Sequence, residues 1–270
     1  MSLQLLWEQD GLPQGDLPAA LRERYDGGLG FDGPRVYANF VQTLDGVVAI
    51  PDVERSNVLV ADGSDDDRFV MGLLRALADV VLIGTGTLLS SPKGRWRPAG
   101  VFPAGKEAFT ELRARLGKEE QPAVAIVTSG ASLDPSHPVV ADGALVVTTE
   151  RGAVGLAADV PNLVAVGDGD WVPLPAAVEL LQSRGYEHVL SEAGPTTFTE
   201  LLATELVDEL FLTVSPVLAG RLDAQRRLSL VEGVELLPGV RVAPSLRSIR
   251  RGGDHLFLRY KLSGSREAGA

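Results

Sequence analysis

Three clusters of residues in this chain have the types and spacing for chemistry on a nucleotide-like ligand. In the first, Glu192-Ala193-Gly194-Pro195-Thr196 joins an apolar run to a helical pattern. A glycine lets a ligand approach the backbone, and the free N–H groups of a helix start favour an anion such as a pyrophosphate. Glu192 leaves the end of a strand, where ligand-facing side chains stand in open α/β sheets. The same residues also suit an ordinary β–α turn with a solvated glutamate. In the second cluster, Gly84-Thr85-Gly86-Thr87 follows a buried-type strand. Its backbone amides can cradle phosphates, or it is a plain tight turn. It is not a dinucleotide fingerprint of the Rossmann type, because Leu89 stands at the third glycine and the loop does not open the first βαβ unit. The third cluster is Asn39, Thr43 and Asp45, which alternate along one strand and its exit and can share a cleft. Asp45-Gly46 is equally a hairpin-turn dipeptide.

Two further groups are candidates. Thr128-Ser129 and Thr148-Thr149 close neighbouring strands, where hydroxyls can reach a ribose or its 2′-phosphate. Arg95 and Arg97, in the basic run Ser90-Ser91-Pro92-Lys93-Gly94-Arg95-Trp96-Arg97, can bind a phosphate by forked hydrogen bonds or belong to a solvated loop.

The elements that must position these groups follow from periodicity. An arm over 1–34 carries a short helix candidate at 17–25 and a glycine-rich loop. The first clear strand is 35–41. Ser64 caps a helix whose first turn is Asp65-Asp66-Asp67, and carboxylates there complement the helix dipole, so the triple aspartate reads as a helix start and not a metal site. Phe69, Val70, Leu73, Leu74 and Leu77 make its buried face. Strands buried on both faces follow at 79–83, 123–128, 144–149 and 163–166. A helix at 175–184 precedes the strand entering Glu192. Pro195 suits a first helical position, and Phe198, Leu201, Leu202 and Leu206 give that helix one apolar face. An apolar run at 210–214 and a hairpin at 246–262, broken at Gly252-Gly253, complete the pattern. Alternating strands and helices with a terminal hairpin predict a three-layer α/β/α sandwich on a mixed, mostly parallel sheet. One domain over 35–262 is expected, with a polar, disordered tail at 263–270.

Composition narrows the function. With 45% hydrophobic and 23% charged residues, the chain reads as a globular protein. A net charge of −11 argues against a general nucleic-acid or anionic-membrane binder. No apolar run is long enough to span a bilayer, the amino terminus lacks a signal-peptide pattern, and cysteine is absent, so a cytoplasmic location is expected. Without cysteine there is no zinc deaminase signature, and His137, His188 and His255 are too scattered for a zinc site or a triad.

Three stretches, ANFVQTLDG at 38–46, ADVVLIGTGT at 78–87 and SEAGPTTFTELLATELVDELFLTVSPVLAG at 191–220, resemble the pyrimidine reductases of riboflavin biosynthesis, which share a dihydrofolate-reductase-like fold. The resemblance spans about residues 35–262. It implies an NADPH-dependent reductase whose pyrophosphate lies on Gly84–Thr87 and on the loop of Ala193, Gly194, Pro195 and Thr196, with Thr128 and Ser129 near the adenosine. It implies that Asn39, Thr43 and Asp45 flank the pyrimidine and the nicotinamide. The substrate implied is 5-amino-6-(5-phospho-D-ribosylamino)uracil, with hydride passing to the ribose C1′ of the ring-opened imine. Glu192 would orient the substrate or its developing amine, and Asp45 would support proton transfer. A homodimer is implied by the same analogy. Three departures bear on substrate and cofactor. Val47 stands where the family carries lysine, 90–97 replaces an Asp-Asp-Pro-Arg run, and Gly130-Ala131 follows Ser129 where a basic residue often stands. A related substrate such as a pteridine, or a non-catalytic dinucleotide binder, are the competing readings.

Overall fold

The computed structural model describes residues 2–51, 53–222, 226–239 and 241–262. The tail expected over 263–270 lies outside them. Ten strands form one sheet: β1 (Gln4–Glu8), β2 (Arg35–Gln42), β3 (Val80–Gly84), β4 (Ala123–Val127), β5 (Leu145–Thr148), β6 (Leu163–Ala165), β7 (His188–Ser191), β8 (Glu209–Val214), β9 (Ser245–Gly252) and β10 (His255–Lys261). Their order is β1-β9-β10-β8-β2-β7-β3-β4-β5-β6. From β8 to β6 every neighbouring pair is parallel, and β10, β9 and β1 add on antiparallel. The mixed sheet with a terminal hairpin matches the pattern read from the sequence.

Helices cover both faces because β3 and its neighbours are apolar on both. All five residues of β3 are buried. On one face the helices Asp65–Leu77 and Lys106–Arg115 bring Phe69, Leu73, Leu74, Phe109 and Leu112 against the sheet. On the other, Leu174–Ser183 and Pro195–Ala203 bring Leu174, Leu181, Phe198 and Leu201.

The amino-terminal arm does more than pack. Besides the helix Ala19–Tyr25 it supplies β1, an edge strand paired with β9. None of the five β1 residues is buried, so no period-2 apolar pattern marks it in the sequence. Arg250 of β9 holds the arm: it is 1% exposed, and its guanidinium donates to Tyr25 O (2.8 Å) and to Glu8 Oε2 (2.9 Å).

Ser64 caps the Asp65–Leu77 helix as its sequence predicts, its Oγ accepting the Asp67 N–H at 3.2 Å. The three aspartates are not equivalent, however. Asp67 turns inward and is 5% exposed. Helical spacing places it over Val70, Met71 and Leu74, on the face that packs inward.

Candidate functional site

The parallel strands β3, β4 and β7 end together, and a cavity of about 860 Å³ lies over their carboxyl ends. Gly84, Thr85, Gly86 and Thr87 form one wall, Thr128 and Ser129 a second, and Gly194, Pro195 and Thr196 a third. Nine of the ten residues expected to hold a cofactor therefore line one space, and Ala193 lines the smaller cavity beside it. The Gly-Thr-Gly-Thr segment is not a loop: Gly84 leads into a one-turn helix, Thr85–Leu89. Neither that helix nor Pro195–Ala203 has a side-chain cap, so the first N–H groups of both remain available at the cavity. A Cβ added at Gly86 or Gly194 meets no atom within 4 Å, which leaves the backbone open to a ligand.

No lysine or arginine is among the described residues lining this cavity, and its charged groups are Glu54 and Glu200. A phosphate here depends on backbone N–H groups and on the hydroxyls of Thr85, Thr87, Thr128, Ser129 and Thr196. Two features of the wall are not visible in the motifs. Trp171, 79% exposed, forms part of it from a Gly-Asp-rich stretch. Gly152 lets the helix Glu150–Leu156 abut the Ser129 loop, since a Cβ there would lie 2.5 Å from Ser129 O. Thr148 is fully buried, and Thr149 caps that helix through the Gly152 N–H at 3.1 Å, so this second hydroxyl pair is structural.

A second cavity, about 180 Å³, opens beside the first and shares Thr87, Gly194 and Pro195 with it. Asn39, Asp67, Met71, Arg75, Trp96 and Glu192 line it. Glu192 reaches this cavity, but its carboxylate is not free. Arg75 of the Asp65–Leu77 helix grips it with two hydrogen bonds, Nε to Oε1 and Nη2 to Oε2, both 2.7 Å. The two side chains are 11% and 9% exposed, so the pair is largely removed from water. Arg75 lies 117 positions away. Its only sequence signal is an arginine among the core leucines Leu73, Leu74 and Leu77.

Asp67 is the other carboxyl here. Burial pushes it up to about 6, against the opposing effect of a hydrogen bond with Thr213. Asp67 makes no ion pair with any described residue.

Thr43 and Asp45 do not line either cavity. β2 stops at Gln42, and the chain takes the turn that the Asp45-Gly46 dipeptide also suggests, with Gly46 at φ 79°. The fully buried Thr43 donates its hydroxyl to Asp45 Oδ1 at 2.5 Å and accepts the Val47 N–H at 3.0 Å. Asp45 also accepts the backbone N–H groups of Ala219 (3.1 Å) and Gly220 (2.8 Å). The Thr43 hydroxyl, followed by these amides, holds its carboxyl down at about 2, so it carries no proton to donate near neutral pH. Strand alternation cannot be extended past the strand, and here it placed Asp45 in a cleft it does not reach.

Arg95 and Arg97 are also elsewhere. Both pair with Asp142, Arg97 at 3.2 Å, and they line a separate hollow with Val80, Ala123 and Leu145. That is the amino-terminal end of the strands, opposite the cofactor-sized cavity. Within the run 90–97, Trp96 is 5% exposed, belongs to the hydrophobic core and lies 6.3 Å from the His137 ring.

A large cleft with helix N-termini at the carboxyl ends of a parallel sheet, joined to a small polar chamber, has the room and the position for a nucleotide beside a second small molecule. The family model of the RibD C-terminal domain matches residues 34–254. A protein of Archaeoglobus fulgidus is 26% identical over 196 residues, which is 71% of this chain and 84% of its own. One from Methanothermobacter thermautotrophicus is 27% identical over 236 residues, covering 86% of this chain and 99% of its own. Both are named 2,5-diamino-6-ribosylamino-4(3H)-pyrimidinone 5′-phosphate reductase. The crystal structure of a pyrimidine reductase-like protein from Corynebacterium diphtheriae shares the fold, with a TM-score of 0.67 at 20% identity over 92% of this chain and 95% of that one. The chain belongs to the RibD C-terminal domain family, and it is an oxidoreductase.

Proposed function

We propose that the chain is an NADPH-dependent reductase of riboflavin biosynthesis that reduces the ribosyl carbon of 2,5-diamino-6-ribosylamino-4(3H)-pyrimidinone 5′-phosphate. The observation that carries this reading is the joined pair of cavities, about 860 and 180 Å³, meeting at Thr87, Gly194 and Pro195 in a chain of this family. The substrate expected from sequence resemblance is the uracil form, which differs only at C2. The names of the two relatives favour the 2-amino form.

When bound, the dinucleotide supplies a hydride; the chain supplies position and electrostatics. The glycine walls and uncapped helix starts fit a pyrophosphate, and Thr128 and Ser129 suit an adenosine ribose. Asn39, Trp96 and the Arg75–Glu192 pair shape the chamber for a flat heterocycle. In this reading Glu192 orients the substrate as part of a fixed ion pair. A third cavity, about 770 Å³, shares Asn57, Asp67, Met71 and Ser91 with the second and is lined by Arg24, Arg55 and Arg68 together with Asp65 and Asp66. Arg24 pairs with Asp66 and Arg68 with Asp65, so Arg55 is the arginine there with no ion pair to a described residue. We assign the substrate phosphate to Arg55 at this end, in place of Arg95 and Arg97. A cytoplasmic homodimer belongs to the same proposal, supported by the exposed Leu5, Leu6 and Trp7 of edge strand β1 and tested by sedimentation.

The deciding experiment is oxidation of NADPH, with NADH alongside, in the presence of the 2-amino substrate, its uracil counterpart and a dihydropteridine. Reduction of the pyrimidine phosphates is expected. Oxidation with the dihydropteridine alone, or with none of the three while cofactor still binds, would defeat the proposal.

A further inference from the structure

The rotation of the Asp65–Leu77 helix turns Asp67 inward, and the fold does little to satisfy its carboxyl there. Placing a carboxyl in an interior is unfavourable unless something hydrogen-bonds to it. Thr213 provides one such contact, and a carboxylate has room for about four. Its side chain lies on the wall between the heterocycle-sized chamber and the third cavity. The charged groups around it are already committed or remote from pairing. Arg75 is held by Glu192, Arg68 pairs with Asp65, and His255 Nε2 contacts Ala61 O at 3.0 Å. What remains is a buried acceptor facing a space sized for a single ring.

Resting on the reductase reading above, we infer that Asp67 is the specificity-determining residue for C2 of the pyrimidine and selects the 2-amino compound over its deaminated uracil counterpart. A 2-amino-4(3H)-pyrimidinone presents two donors side by side, the ring N3–H and an exocyclic N–H. A carboxylate accepts both in a parallel, bidentate pair. A uracil edge presents N3–H beside a carbonyl, whose lone pairs face a carboxylate oxygen and repel it.

A protonated acid would behave differently, since one oxygen then donates and the other accepts, which suits the uracil edge. The burial of the site and then the facing Glu192 favour the proton, while the Thr213 hydrogen bond, His255 and Arg68 oppose it. Selectivity for the 2-amino substrate therefore declines as pH falls through about 6.

The test compares kcat/KM for the two phosphorylated substrates in the full chain and in Asp67→Asn. The asparagine amide keeps the shape and presents one donor and one acceptor, the complement of uracil. Wild type should prefer the 2-amino substrate by about tenfold at pH 7, where about a tenth of Asp67 is still protonated, and by about a hundredfold at pH 8. Asp67→Asn should reverse the order. Competition by the bare bases 2,6-diaminopyrimidin-4-one and 6-aminouracil against the cofactor complex gives a readout that needs no turnover. A ratio unmoved by Asp67→Asn, or equal losses for both substrates, would overturn the inference while leaving the reductase intact. If neither phosphate is reduced, the reductase reading fails by itself. The base competition then still decides Asp67: an order that inverts in Asp67→Asn supports it, and equal or absent binding overturns it.

Discussion

Replacing Glu192 by glutamine tests the chamber directly, because the structure fixes what Arg75 would lose. The guanidinium donates two hydrogen bonds of 2.7 Å to Glu192, and its one other contact is a long one, 3.4 Å to Arg97 O. A glutamine amide can accept one of the two bonds but turns an N–H toward the other donor. The arginine charge, 11% exposed, is then left without a counter-charge. Removing one partner of a buried pair costs about 3–5 kcal/mol, most of it from the charge left behind. For a domain of this size that corresponds to a melting temperature lower by about 6–20 °C. The assay is a double-mutant cycle in thermal and urea unfolding with Glu192→Gln, Arg75→Met and both together. Arg75→Met removes the stranded charge, so Glu192→Gln should cost little more on that background. Hydride transfer in single turnover should fall with Glu192→Gln by about a hundredfold or more, with cofactor affinity held. Fully additive unfolding effects, or a melting point unchanged in Glu192→Gln, would refute the ion-pair account.

Three further outcomes are expected. Gly86→Val and Gly194→Val should fold normally, because the added side chain meets open space, yet lose saturable cofactor binding in titrations; unchanged affinity would place the cofactor elsewhere. Asp67 has a folded value near 6 against an ordinary 3.8, so its ionisation weakens the fold above pH 6 and has no effect below about 4. Asp67→Asn should therefore be more stable than wild type by up to about 3 kcal/mol above pH 6, with the difference vanishing in acid, as followed by urea unfolding across that range. Arg55→Ala should raise KM for the phosphorylated substrate about tenfold or more through loss of a charge-assisted contact, while Arg95→Ala and Arg97→Ala leave it unchanged; the opposite pattern would return the phosphate to the 90–97 run.

Much of the architecture is local information and was legible in the residues alone. The continuous apolar runs ending at Gly84 and Val127 specify strands buried on both faces, and Ser64 and Pro195 mark helix starts by their own backbone and side-chain chemistry. Because ligands in such sheets meet strand ends, the glycine and hydroxyl residues at those ends pointed to the large cavity without coordinates. The tertiary structure decided what depends on partners distant in sequence. Arg75 meets Glu192 only because the Asp65–Leu77 helix packs beside the end of β7, which turns an expected free carboxylate into half of an ion pair. Asp45 looked like a cleft residue by alternation, but the turn after Gln42 hands it to the amides of Ala219 and Gly220. Arg95 and Arg97 meet Asp142, a residue distant in sequence, at the far end of the sheet. Asp67, read with its neighbours as a helix start, faces inward because the helix must present Val70 and Leu74 to the core, and the same rotation delivers its carboxyl to the chamber.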